Sequence, residues 1–225
     1  MKPLRYPLAV KRDMEYLLSA LIGWGIADDQ NFPILRQVSA EGWEVCFDGA
    51  EYISIALDDV DYADIHRELT EQRSYSAKLI DGGLLQLMYS FQGDSLVKHR
   101  LAYYPSPNLR PFLEDPEAYL RDELFINIVS RRVIPFPLRF DFDEGAAQDV
   151  HHPHCHLTLG DVKGCRIPVS APLTPRWFIE FVLRNFYQTD KRDFISNLPN
   201  HHLSFPSSIT TNERKLIHVV IPQVN

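Results

Sequence analysis

Cysteine is scarce in this chain, with three thiols, Cys46, Cys155 and Cys165, in 225 residues. So small and odd a number cannot build the paired framework that staples small secreted domains, which leaves free thiols or metal ligands. Long apolar runs are missing too. No stretch approaches the roughly 20 apolar residues that a membrane span requires, and residues 1–10 hold no apolar core of signal-peptide length. A cytoplasmic protein with no membrane contact is expected. The chain also lacks low-complexity tracts, blocks of like charge and internal repeats, so neither disorder nor a repeat array fits.

Surplus positive charge is lacking as well: 23 Lys and Arg against 30 Asp and Glu leave a net charge of −7. Coating nucleic acid by general electrostatics needs clustered Lys and Arg, so contact with phosphate has to come from a local set. Arg131, Arg132, Arg139, Arg166 and Arg176 are the candidates. Their ordinary reading is as solvated residues and ion-pair partners.

What is present is a globular composition, 45% hydrophobic and 24% charged, in a chain long enough to bury roughly 70% of its unfolded surface. The one-face spacing of Met14, Leu17, Leu18, Leu21 and Ile22 predicts a helix over residues 10–23, closed by Gly23-Trp24-Gly25. Residues 42–47 and 52–57 alternate on either side of Asp48-Gly49 and read as a hairpin. A surface helix is expected over 61–72, with Tyr62, Ile65 and Leu69 inward. From Tyr75 the period becomes two, and 75–80, 84–91 and 96–104 read as an antiparallel meander joined by glycine-containing turns. Asp115-Pro116 spells the start of a further helix.

Residues 136–143, 154–159 and 164–169 read as three more strands, the last two forming a hairpin. Thr174-Pro175 caps a helix running to about 187, whose stripe of Trp177, Phe178, Phe181, Val182 and Phe186 reads as core packing rather than a ligand face. A last strand is expected over 215–221. With no linker of Pro, Gly and Ser, the sequence implies a single α+β domain over 1–225: an antiparallel sheet, made of a meander plus a histidine-bearing hairpin, packed by several helices. Residues 1–73 form a helical and hairpin part, and the sheet and site fall in 74–225.

Six of the nine histidines sit in two short runs, His151, His152, His154 and His156, and His201 with His202. Just before the first run, Leu138-Arg139-Phe140-Asp141-Phe142-Asp143 alternates, which puts Arg139, Asp141 and Asp143 on one face of a strand. Function is therefore expected around residues 139–166, with help from 201–204. Two geometries are open. An uninterrupted strand would place His152 and His156 roughly 13 Å apart, too far to share a metal, so a zinc or manganese site would need His154 with His156 or His152, and a third ligand such as Asp141, Asp143, Cys165 or His202. Alternatively Pro153 starts the strand after a turn and folds His152 back towards His156.

Three chemistries compete for these residues. The run from His152 to Thr158 resembles the histidine-triad nucleotide hydrolases. His156-Leu157-Thr158-Leu159 and His202-Leu203-Ser204-Phe205 are similar to the signatures of the two-histidine phosphoesterases, in which paired imidazoles act as base and acid. His154, His156, Asp141 and Cys165 are the ligand set for a metal-assisted hydrolase. Against all three stands a hydrogen-bonded polar edge without catalysis.

Taken together, Arg139 to Asp143, His152 to Gly160, Cys165-Arg166-Ile167-Pro168, the helix after Thr174-Pro175 and the stretch from His99 to Pro107 resemble the uncharacterised bacterial family catalogued as domain of unknown function 2290. An Arg/Asp strand followed by His-Pro and a second His is similar, more distantly, to small toxins of bacterial toxin-antitoxin pairs. These resemblances imply a site of Arg100, Arg139, Asp141, His152, His156 and Arg166. His156 is the leading base or acid, Arg139 and Arg166 bind phosphate, Asp141 orients an imidazole or holds a metal, and Thr158 and Tyr104 assist in binding substrate. The expected function is a phosphodiesterase or nuclease acting on nucleic acid or nucleotides, the effector of a toxin-antitoxin or phage-defence module. The alternative is a non-catalytic partner, adaptor or nucleotide-sensing subunit that works with a protein from the same locus.

Overall fold

Strand alternation builds the centre of the molecule. In the computed structural model, whose described residues are 4–50, 61–107, 136–160, 164–187, 193–199 and 203–222, β5 (Leu84–Gln92) and β6 (Ser95–Tyr104) pair along almost their whole length. The other strands, in chain order, are β1 (Ala27–Gln30), β2 (Ile34–Gln37), β3 (Gly42–Cys46), β4 (Ala77–Leu79), β7 (Leu138–Asp143), β8 (Cys155–Leu159) and β9 (Ile167–Pro168). The sheet runs β1-β4-β5-β6-β7-β8-β9, every pair antiparallel. Strand β5 is long enough to serve two ribbons: its first residues pair with β4 and its later ones with β3, which carries β2 on its other edge. The expected meander is therefore present. Residues 52–57, expected to pair with β3, lie outside the described residues, as do the helix opened by Asp115-Pro116, Arg131, Arg132, His201 and His202; both edges of β3 are held by β2 and β5.

Because successive side chains alternate, one face of the sheet collects Leu85, Leu87, Tyr89, Phe91, Leu101, Tyr103, Phe140, Phe142, Cys155 and Leu157 into the main core. Two helices cover it, α1 (Tyr6–Gly23) and α3 (Pro175–Val182). Helix α1 starts four residues earlier than its apolar spacing predicts. Pro7 occupies its first turn, where a missing N–H costs nothing, and the Asp94 carboxylate accepts the N–H groups of Arg5 and Tyr6 at 2.7 and 3.1 Å. Val10, Met14, Leu17, Leu18 and Leu21 are buried, whereas Ile22 is 37% exposed, since one further residue turns it about 100° from Leu21.

Thr174 caps α3 by accepting the Trp177 N–H at 3.3 Å, as its sequence spelling requires. The α-helical geometry stops at Val182 and widens into a π turn, Leu183–Tyr187, instead of running on regularly to 187. The aromatic stripe is core: Phe140 meets Phe178 and Phe181 edge to face at 6.4 and 5.1 Å between ring centroids. On the opposite face of the sheet, α2 (Tyr62–Glu71) places Ile65 and Leu69 against Tyr75, Leu84, Ala102 and Tyr104.

One expectation is corrected. The predicted strand over 215–221 is a 3-10 turn, Glu213–Lys215, and a single parallel bridge between Val219 and Val169; β9 is only two residues long and offers little edge to extend, and Ile217 and Val220 are 93% and 67% exposed. Strands β1 and β2 were not legible, because Ala27-Asp28-Asp29-Gln30 has no apolar alternation and takes its order from pairing with β4. The result is a single-domain α+β fold on an open antiparallel sheet. Among the described residues no helix is long and apolar enough to cross a membrane.

Candidate functional site

The register of three strands assembles the site. Arg100 on β6 stands opposite Asp141 on β7, and Asp141 stands opposite His156 on β8. Arg139 likewise faces Thr158. These positions share the face opposite the main core, so the alternation that buries Phe140 and Phe142 turns Arg139 and Asp141 the other way. There they line a cleft of about 300 Å³ together with Lys98, Asp143, His152, Cys165 and Arg166.

The arrangement of the histidines settles the two open geometries. Strand β8 starts at Cys155, not at His152. Pro153 sits in a tight connection in which His152 and Gln148 exchange backbone hydrogen bonds of 2.7 and 2.8 Å, and the chain doubles back. The His152 and His156 rings end 5.0 Å apart in an edge-to-face contact. His152, His154 and His156 therefore do not alternate along one strand, and the basis of the resemblance to histidine-triad hydrolases is gone.

His156 is 5% exposed, and its Nδ1 lies 3.1 Å from the Pro153 carbonyl oxygen. A carbonyl can only accept, so Nδ1 carries the hydrogen and Nε2 keeps the lone pair in the neutral ring. Burial is the main cause that lowers the His156 pKa from its ordinary 6.5; the Pro153 bond and the Asp141 charge pull it up, and His152 and Arg166 push it down. A neutral imidazole whose Nε2 accepts no hydrogen bond from the described residues is a competent base at pH 7. His152 is half-buried, and its Nδ1 has no hydrogen-bond partner among the described residues.

Cations dominate the rest of the cleft. Arg100 Nε reaches Asp141 Oδ1 at 3.3 Å and Arg139 Nε lies 3.6 Å from Asp141 Oδ2. Asp141 thus holds two guanidinium groups side by side. Arg139 Nε is buried without a hydrogen-bond partner among the described residues, a costly state that an added acceptor would relieve. Lys98 pairs with Asp143 at 3.0 Å, and that pair and the backbone N–H groups of Ala146 and Gly145 hold the Asp143 pKa low against the opposing effect of burial. Lys98, Arg100, Arg139 and Arg166 outnumber the carboxylates of Asp141 and Asp143, so the cleft is a cationic spot on an acidic chain.

Two expected participants are elsewhere. His154 lies in a second cavity of about 480 Å³ with Tyr6, Phe205 and Ser208. It does not join His156, and among the described residues no three His, Cys, Asp or Glu side chains are grouped to hold a metal ion. Tyr104 is 4% exposed in the cluster beneath α2, its pKa raised by burial against the pull of Arg100 and Arg139. It supports the cleft floor without lining it. Asp143, expected on the polar face of its strand, lines the cleft, and Lys98 joins it unforeseen, because position 98 alternates with Arg100 on β6, a signal readable from the strand pattern alone.

His99 supplies the contrast. On the core face, its Nδ1 lies 3.2 Å from the Phe140 carbonyl and its Nε2 accepts the Leu173 N–H at 3.2 Å. Both nitrogens are occupied, and burial drops its pKa to about 4.

No curated protein and no solved structure matches the chain. A family model described as an uncharacterized conserved protein (DUF2290) matches residues 26–221. With nearly the whole of the fold inside that match, from β1 to the C-terminal bridge, the chain belongs to this uncharacterised conserved family, DUF2290.

Proposed function

We propose that the cleft binds a phosphodiester and cleaves it by imidazole acid-base chemistry, acting on nucleic acid or a nucleotide. The observation that carries this reading is the juxtaposition of two imidazoles 5.0 Å apart with Arg100, Arg139 and Arg166 lining the same cleft. Phosphoryl transfer needs a group to take a proton from the nucleophile, a group to give one to the leaving oxygen, and fixed positive charge for the phosphoryl oxygens. His156, neutral with its lone pair on Nε2, is the base. His152, nearer solvent, is the acid. The guanidinium groups bind the oxygens in the paired geometry they favour, Thr158 adds a hydroxyl, and Asp141 keeps Arg100 and Arg139 aimed.

The assay is cleavage of single-stranded RNA and DNA oligonucleotides by wild type and His156→Ala. The reading expects cleavage that the substitution abolishes while the melting temperature holds. Equal rates in the two proteins sink it. A role as effector of a toxin-antitoxin or phage-defence module rests on the short-motif resemblance; it expects growth arrest on expression, relieved by His156→Ala. A second reading, a non-catalytic partner or nucleotide-sensing subunit, draws on Leu216, Ile217 and Val220, which leave 44%, 93% and 67% of their surface exposed near the C-terminus. Co-purification with a neighbouring protein that is lost on Ile217→Asp, with no cleavage by wild type, would replace the first reading by the second.

A further inference from the structure

His152 does not belong to a strand. Its place beside His156 depends on the connection over residues 144–154, most of which is exposed. Within it, Val150 has φ of +68°, a left-handed conformation that a β-branched residue adopts only when its surroundings impose it. The imposing group is identifiable.

Glu213, 63 positions further on, is 1% exposed. Its Oε1 accepts the Val150 N–H at 3.3 Å, and its Oε2 accepts the Thr210 N–H at 2.9 Å. Thr210 Oγ1 accepts the Glu213 N–H at 3.1 Å in return. Thr210 and Glu213 thus form a reciprocal capping box, with one carboxylate oxygen left over for Val150. Beside it, the Asp149 carboxylate accepts from Thr210 Oγ1 at 2.5 Å and Asn212 Nδ2 at 2.6 Å, and these two bonds lower its pKa. Two acidic side chains therefore fasten consecutive residues, 149 and 150, to the segment 210–213. Residue 152 lies two positions beyond Val150, locked by its backbone exchange with Gln148.

We propose that Glu213 and Asp149 are positioning residues for His152, holding its imidazole against His156 at the mouth of the cleft. The functional meaning rests on the phosphodiesterase reading; the geometry does not. An exposed connection left to itself samples many conformers, and a misplacement of about 1 Å costs an acid-base group on the order of 100-fold in rate. The capping box, far from the cleft in sequence, removes that freedom.

The test follows the two rings directly in the full chain. Wild type is expected to give an imidazole-to-imidazole nuclear Overhauser effect between His152 and His156. Glu213→Ala is expected to lose it, to move the His156 titration midpoint upward because the lowering influence of the His152 ring is withdrawn, and to lower kcat about 10-fold or more with KM changed less than about 2-fold. Adding Val150→Gly to Glu213→Ala should restore the contact in part, because glycine adopts positive φ without cost; general destabilisation has no such remedy. Should Glu213→Ala fail to fold, Glu213→Gln, whose single carbonyl oxygen cannot serve both N–H groups, and Asp149→Asn are expected to weaken the same contact. A folded Glu213→Ala or Glu213→Gln that keeps the ring contact and the His156 midpoint overturns the proposal. Absence of cleavage by wild type, with the ring contact behaving as described, would instead retire the phosphodiesterase reading and leave the positioning role standing.

Discussion

Two faces of the same three strands carry histidines with opposite fates. On β6, His99 points into the core, gives one nitrogen to the Phe140 carbonyl and the other to the Leu173 N–H, and has nothing left to offer. On β8, His156 is nearly as buried, yet Nδ1 alone of its nitrogens is hydrogen-bonded among the described residues, and the ring lines a cleft with three arginines. Burial depresses both pKa values. What separates them is the count of partners and the sign of their surroundings, so a shifted pKa alone does not identify a functional imidazole.

The sharpest way to break this comparison is to remove each ring in turn. His156→Ala should reduce cleavage of an oligonucleotide by about 100-fold to 10,000-fold, the range of general acid-base catalysis, with circular dichroism unchanged. A core substitution on the same strands should do the reverse. Phe140→Ala empties space between β7 and α3 and should cost about 3–5 kcal/mol of stability by urea unfolding, while the rate per folded molecule is retained.

Acid stability separates the faces further. His99 has a folded pKa of about 4 against an ordinary 6.5, so below pH 6.5 the unfolded chain binds the proton more readily. Its neutral form is fully tolerated above pH 6.5, and stability falls as the pH drops from 6.5 to 4, by up to about 3 kcal/mol at roughly 1.4 kcal/mol per unit. Asp13, whose folded pKa is raised to about 7 by burial despite Arg176, opposes that slope, since its protonation stabilises the fold on acidification. His99→Gln, which offers one donor and one acceptor, should cost about 1–2 kcal/mol at pH 7 but remove the destabilising His99 contribution between pH 6.5 and 4, so that its stability rises relative to wild type as the pH falls through that window; a gap between the two proteins that does not change with pH would show that His99 does not titrate this way.

The smallest effect expected is in the rate profile. Because a lowered His156 pKa keeps the base neutral, the acidic limb of kcat/KM should fall below pH 6.5 rather than above it. A limb centred above 6.5 would show that the imidazolium is stabilised in the cleft, against the burial that dominates there.

Much of this was legible in the chain because strand alternation is a strong local signal. Arg139, Asp141 and Asp143 against Phe140 and Phe142, and Thr174-Pro175 before an aromatic stripe, spell their faces and ends directly. Eight of the expected site residues line one cleft, Arg100, Arg139, Asp141, His156 and Thr158 through that alternation, and His152, Cys165 and Arg166 from the connections beside it. What escaped was set by distant partners. Strand β1 is polar and exists through β4; His154 leaves His156 because the chain turns at Pro153; Tyr104 is claimed by α2. Thr210-Thr211-Asn212-Glu213 does spell a capping box, but that its spare oxygen reaches Val150 depends on a contact 63 residues away.

The most direct test of the central contrast is a single titration. Inorganic phosphate added at constant pH to the full chain, with the imidazole Hε1 signals followed by NMR, should move His156 and His152 along a saturating curve while His99 stays still. Movement of His99, or silence from both His152 and His156, would contradict the assignment of the cleft as the phosphate-binding, acid-base face of the sheet.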